Sequence, residues 1–204
     1  MGESNRESLR PGAISHLLYL HGFRSSPQST KARMLAKWVG QHRPDLVWWC
    51  PQLPASPASA IAMLSDRLSG WPVEHMAVIG SSLGGFYATV LAERLDCPAV
   101  LLNPAIDPAR DLATYIGNLK TWHGDETFEF EPAFVDELRD MTPVGIERRD
   151  RYFVVIAKGD EVLDWREMSA RYAGCRQLVL EGSDHALSDF ARHIGAVLGT
   201  LGLR

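Results

Sequence analysis

The chain is short of cysteine, of net charge and of long apolar runs, and each shortage removes a class of protein. Cys50, Cys97 and Cys175 are scattered, odd in number and free of any C-x-x-C pair, so neither a disulfide framework nor a cysteine metal site is expected. Small apolar thiols near strand ends fit a reducing, cytoplasmic setting. A formal charge of −4, from 21 basic and 25 acidic residues, offers no basic surface to nucleic acid and no attraction to an anionic membrane. No apolar stretch approaches the ~20 residues that cross a bilayer. Residues 1–12 are polar, carry Glu3, Arg6, Glu7 and Arg10, and contain no apolar core of a secretory signal. Residues 1–13 therefore read as a disordered leader and 14–204 as a single domain. Internal repeats and low-complexity tracts are absent too.

What is present is alternation. Short, continuously apolar runs at 17–20, 47–50, 76–79, 99–102, 152–157 and 177–180 read as buried parallel strands. Between them, 29–40, 56–69, 83–95, 162–172 and 186–198 read as helices, which together predict βαβ units and a mostly parallel six-stranded sheet with helices on both faces. Ser56 followed by Pro57 is a helix start, and Asp96-Cys97-Pro98 ends the helix that opens at Leu83. At 204 residues such a chain buries roughly 70% of its unfolded surface and needs no staples. The segment 104–150 breaks the pattern. It holds no strong strand, several prolines, helical pieces at 109–119 and 133–140, and an aromatic series Tyr115, Trp122, Phe128, Phe130, Phe134. It reads as a long connection serving as a lid, since long loops in compact domains are often functional.

The most specific motif is Gly80-Ser81-Ser82-Leu83-Gly84, a G-x-S-x-G lying between a strand and a helix. That is the context of a nucleophile elbow, in which a sharp turn lifts the central hydroxyl above the sheet and needs small residues on either side. The spacing centres on Ser82, with Ser81 the neighbouring alternative. A serine hydroxyl needs a base. Of seven histidines, His185 follows the last strand through Glu181-Gly182-Ser183-Asp184 and so lies at the same sheet edge as Ser82. His193 falls in the terminal helix, His16, His42 and His75 lie near strand starts or helix ends, and His123 lies in the connection. The acid that orients the histidine falls between the two in chain order, which favours Asp160 in Lys158-Gly159-Asp160-Glu161. Asp164 competes but stands in a first helical turn, where a carboxylate is favoured anyway; Glu161 is a lesser rival. Two oxyanion donors are assigned to the backbone N–H groups of Leu83 and of Phe23, the latter in the loop His21-Gly22-Phe23-Arg24 after the first strand. The His21 side chain reads as a structural partner within that loop.

Several segments together carry a family resemblance. Leu18-Tyr19-Leu20-His21-Gly22-Phe23 with Ser25-Ser26-Pro27, Pro51-Gln52-Leu53-Pro54, Gly80 to Thr89, Asn103-Pro104-Ala105, Gly159-Asp160-Glu161-Val162-Leu163-Asp164, Cys175-Arg176-Gln177 and Glu181-Gly182-Ser183-Asp184-His185-Ala186 run in order from about residue 17 to the end. The chain resembles the YqiA-type esterases, small bacterial α/β hydrolases. The resemblance implies an α/β-hydrolase fold without the two antiparallel strands that open larger members. It also implies hydrolysis of a small-molecule carboxylic ester, or a thioester, by Ser82, Asp160 and His185. No metal or organic cofactor, no nucleic acid and no membrane is expected, and the oligomeric state is left open. A fold retained only for binding usually loses one of the three residues, and all three are here. Acyl transfer and C–C cleavage remain open, whereas dehalogenase or epoxide-hydrolase chemistry wants a carboxylate in place of Ser82. Thr121-Trp122-His123-Gly124-Asp125-Glu126 is bulkier than the resemblance implies, which leaves acyl preference open.

Overall fold

A computed structural model describes residues 13–121 and 127–203. The expected leader, apart from residue 13, and positions 122–126 of the connection lie outside the described residues. In chain order the strands are β1 (His16–Leu20), β2 (Val47–Trp49), β3 (Met76–Ser81), β4 (Ala99–Leu102), β5 (Gly117–Lys120), β6 (Thr127–Phe130), β7 (Tyr152–Ala157) and β8 (Arg176–Leu180). The helices are α1 (Thr30–His42), α2 (Pro57–Leu68), α3 (Leu83–Leu95), α4 (Pro108–Leu112), α5 (Pro132–Met141), α6 (Trp165–Arg171) and α7 (Ile194–Thr200). Six strands form the main sheet in the order β2-β1-β3-β4-β7-β8, every neighbouring pair parallel.

Four of the six runs that read as buried strands, in β1, β3, β4 and β7, are buried on both faces. The edge strands β2 and β8 are exposed or half-buried, because each has a neighbour on one side only. Leu18, Leu20, Met76, Val78, Leu101, Val154 and Ile156 pack under α2, α3, α5 and α6, while Leu17, Tyr19, Ala77, Ile79, Val100, Val155 and Ala157 pack under α1 and α7. Side chains alternate across the sheet, so a central parallel strand must be apolar at every position. The chain leaves β1 in one direction toward β2 and returns to place β3 on β1's other side. The carboxyl ends of β1 and β3 therefore border the crevice where the strand order reverses, the usual site for ligands in open α/β sheets. Register pairs Leu20 with Gly80, so the loop after β1 emerges beside Ser81 and Ser82.

Helix starts follow the sequence signals: Ser29 and Ser56 cap α1 and α2 by accepting the N–H groups of Ala32 and Ser59. The segment 104–150 differs from the reading. The helical piece expected over 109–119 stops at Leu112, a 3₁₀ turn covers Ala113–Tyr115, and Gly117, at φ +126°, opens an antiparallel pair of β5 with β6. Tertiary packing decides this: Phe128 and Phe130 alternate with the exposed Thr127 and Glu129, so one side of the pair faces inward. Two other helices are shorter than their apolar periodicity predicts. α6 starts only at Trp165, because Asp160 takes the N–H groups of Val162 and Leu163 and Asp164 caps the helix. The last helix starts only at Ile194, because Leu187, at φ +50°, turns the chain and a 3₁₀ turn occupies Phe190–Arg192.

Candidate active site

The turn between β3 and α3 is crowded. A Cβ on Gly80 would lie 2.1 Å from the Gly84 carbonyl oxygen, and one on Gly84 would lie 2.1 Å from that of Leu20. Glycine is required at both positions because the helix starts against the backbone of two strands. Ser82 takes φ +55°, ψ −122°, a conformation L-residues rarely adopt and one that persists only where surroundings over-determine it. Here they do. The Ser82 N–H donates to Leu102 O at 3.0 Å, and its carbonyl accepts from Gly85 (2.8 Å), Ala105 (3.1 Å) and Phe86 (3.3 Å).

The structure brings Ser82, His185 and Asp160 together. His185 Nε2 lies 3.0 Å from Ser82 Oγ and Nδ1 lies 2.8 Å from Asp160 Oδ2. The Asp160 carboxylate is fully buried, and its other oxygen accepts the N–H groups of Val162 and Leu163, each at 2.8 Å. An ionised carboxylate only accepts, so Nδ1 carries the imidazole proton and Nε2 is left to accept from the serine hydroxyl. The rivals are placed elsewhere. Asp164 caps α6 through the Arg166 N–H at 2.9 Å, Glu161 accepts the His185 backbone N–H at 3.0 Å, and Ser81 is buried within β3. Among the other histidines, His193 binds Asp189, His16 binds Ser15 and His42 binds the Trp38 carbonyl; His123 lies outside the described residues.

Gly22 brings the loop after β1 against the serine. Neither the Leu83 nor the Phe23 N–H has an acceptor among the described residues, and both residues line one cleft with Ser82 and His185. His21 is buried and braces this loop: Nε2 accepts the Leu53 N–H at 3.2 Å, and Nδ1–H donates to Gly22 O at 3.0 Å. Its bonds thus reach beyond its own loop to the chain after β2. The Phe23 ring meets those of Phe130, Tyr115 and Phe128 edge-on at 5.3, 5.7 and 6.0 Å. Arg24 Nε donates to Lys120 O at 2.6 Å. The loop after β1 and the β5–β6 pair are therefore one packed unit.

The cleft has a volume of about 560 Å³, within the range of small-molecule sites. Its wall is largely apolar, formed by Ala105, Pro108, Leu112, Tyr115, Val162 and Leu163, with Lys31 as a cation. Lys31 Nζ donates to Ala186 O. Burial pushes the Lys31 ammonium down to about 8, against the opposing pull of Asp184 and Asp160. Among the described residues no three His, Cys, Asp or Glu side chains group as a metal site. Sequence reasoning gave no role to Lys31 or Asn103. Asn103 is fully buried at φ +42°, and its side chain binds the Asp184 and His185 carbonyls at 3.1 and 3.2 Å. Asn103 entered the sequence reading only within Asn103-Pro104-Ala105, as part of the family resemblance.

Solved structures share this architecture. A protein of Agrobacterium vitis S4 superposes with a TM-score of 0.73 at 16% identity, covering 93% of this chain and 90% of the other. Mouse alpha/beta hydrolase domain-containing protein 10 gives 0.64 at 12% identity over 96% and 92%. The esterase domain of a Rhodothermus marinus protein gives 0.62 at 19% identity over 94% and 88%. The fold is that of the α/β hydrolases, and among the described residues the main sheet starts at β1. The model of the uncharacterised protein family UPF0227 matches residues 16–201, and the chain belongs to that family, the YqiA-like group its motifs resemble.

Proposed function

We propose that this protein hydrolyses carboxylic esters, thioesters included, through an acyl-enzyme on Ser82. The observation that carries the reading is the imidazole of His185, with one nitrogen on the Ser82 hydroxyl and the other on a buried carboxylate. In the first step His185 Nε2 takes the hydroxyl proton as Oγ attacks the ester carbonyl. Asp160 holds the tautomer and stabilises the imidazolium without taking the proton. The tetrahedral oxyanion is received by the Phe23 and Leu83 N–H groups, each worth ~2.7–4 kcal/mol to the barrier. His185 then protonates the leaving alcohol or thiol. Water, deprotonated by the same nitrogen, cleaves the acyl-enzyme and restores the hydroxyl. The apolar wall of the cleft suits the hydrocarbon part of a small-molecule ester. The Rhodothermus marinus neighbour is named an esterase, and another solved neighbour is one of two metagenome-derived lipolytic enzymes; both agree with the reading.

A fluorophosphonate probe tests it directly. One equivalent is expected on Ser82, with labelling and p-nitrophenyl ester turnover both lost in Ser82→Ala. Labelling at another residue, or turnover that survives that substitution, would overturn the assignment.

A further inference from the structure

The loop that carries His185 has little regular structure of its own. It follows β8, includes left-handed residues at Ser183 (φ +67°) and Leu187 (φ +50°), and its internal backbone bond is that of the Leu187 N–H to Asp184 O at 3.0 Å. Its peptide groups bind side chains from three other parts of the fold. Asn103 Nδ2 donates to the carbonyls of Asp184 and His185. Glu161 Oε2 accepts the His185 N–H, and Lys31 Nζ donates to the Ala186 carbonyl. Three consecutive carbonyls and the central N–H are thereby held from α1, from the end of β4 and from the loop after β7.

Asn103 does more than hold the loop. Its Oδ1 accepts the N–H of Ala157, the last residue of β7, at 2.8 Å, which sets where the chain leaves for Asp160. Its neighbour Leu102 accepts the Ser82 N–H. Asn103 and its neighbour Leu102 thus tie together the backbones that carry Ser82, Asp160 and His185. The orientation of its amide follows from the partners: an N–H can meet only Oδ1, and two carbonyls can meet only Nδ2. Neither aspartate nor leucine, both of similar shape, can make this set.

We infer that Asn103, Glu161 and Lys31 are positioning residues that fix the His185 imidazole between Ser82 and Asp160, with Asn103 as the hub. Its consequence for turnover rests on the hydrolase reading above. A displacement of about 1 Å in such an arrangement can cost 10²-fold in rate. The loop's own bonds, from Ser188 to the Asp184 carboxylate and from Leu187 to Asp184 O, bypass the His185 peptide groups.

The experiment compares Asn103→Asp, Asn103→Ala, Glu161→Ala and Glu161→Gln by kcat and KM for p-nitrophenyl acetate, and by the proton resonance of His185 Nδ1–H. Asn103→Asp turns a donor into a carboxylate facing two carbonyls, and kcat is expected to fall by about 10²-fold. Glu161 is exposed, so its variants fold whatever becomes of Asn103. Glu161→Ala is expected to lower kcat by about tenfold with KM nearly unchanged, and to shift or broaden the Nδ1–H resonance. Glu161→Gln keeps an acceptor for the His185 N–H and is expected to restore both. Wild-type kcat and an unaltered resonance in Glu161→Ala, or a folded Asn103→Asp with full activity, would overturn the inference. If the wild type hydrolyses no ester above the Ser82→Ala blank, the hydrolase reading fails instead. The resonance still decides whether the clamp holds the imidazole.

Discussion

Gly22 and Ser82 lie in direct contact: a Cβ placed on Gly22 would come within 3.1 Å of the Ser82 Cβ and 3.6 Å of its hydroxyl oxygen. Any side chain there pushes the loop after β1 and the serine apart by a few tenths of an ångström. Gly22→Ala is expected to fold, because the crowding falls on a loop edge. Its kcat is expected to drop by about 10–10²-fold as the Phe23 N–H moves off the developing charge. Steady-state kinetics beside thermal melting check this; an alanine variant with wild-type kcat would mean that the loop supplies no donor.

Asp160 and Asp164 separate by partner. Asp160→Asn puts an amide against the imidazole and offers it the wrong tautomer, so a loss of about 10²–10⁴-fold in kcat is expected. Asp164→Asn keeps a good helix cap, and both activity and stability are expected within about 0.5 kcal/mol of wild type. Kinetics on the two variants decide, and equal losses would remove Asp160 from its special place.

The aromatic packing of Phe23 links the β5–β6 pair to the proposed oxyanion donor. Phe128→Ala removes one ring that seats the Phe23 side chain. A fall in kcat of about tenfold is expected, with a smaller change in KM, since the lost interaction acts on the transition state. Phe128→Tyr keeps the ring and is expected to recover most of the rate. If Phe128→Ala changed KM alone, the β5–β6 pair would serve binding rather than the oxyanion hole.

That pair also marks where sequence reading runs out. β4, β7 and α3 keep the bounds expected of them, because unbroken apolar runs and the Asp96-Cys97-Pro98 stop are local signals. Ser82, His185 and Asp160 were legible because a G-x-S-x-G between strand and helix fixes one residue, and chain order narrows the other two. β5 and β6 are four residues each, too short for alternation to stand out. Their pairing is fixed by contact with Phe23, about a hundred positions earlier in the chain. Asn103 and Lys31 were silent for a different reason. Their partners are backbone carbonyls 81, 82 and 155 positions away, and a peptide carbonyl has no residue type to read.

Lys31 carries the clearest opposition between stability and activity. Its side chain is half-buried in the cleft wall, and desolvation lowers its pKa from 10.5 to about 8 despite the charges of Asp184 and Asp160. The folded state therefore holds this proton less tightly than the unfolded chain. The resulting cost to stability is fully present below pH 8 and fades between pH 8 and 10.5, as the unfolded lysine also loses its proton. At neutral pH the cost is at most about 3 kcal/mol, partly offset by the bond to Ala186 O, worth roughly 1 kcal/mol. Lys31→Met removes both, so it is expected to be more stable than wild type by about 1–2 kcal/mol at pH 7, with an advantage that shrinks toward pH 10. Its kcat is expected to fall severalfold, because the Ala186 carbonyl loses its tether beside His185. Urea denaturation at pH 7 and pH 10, with kinetics at pH 7, tests both halves. A stability difference independent of pH would show that the ammonium is hydrated rather than buried. A methionine variant less stable than wild type at pH 7 would show that the tether outweighs the desolvation.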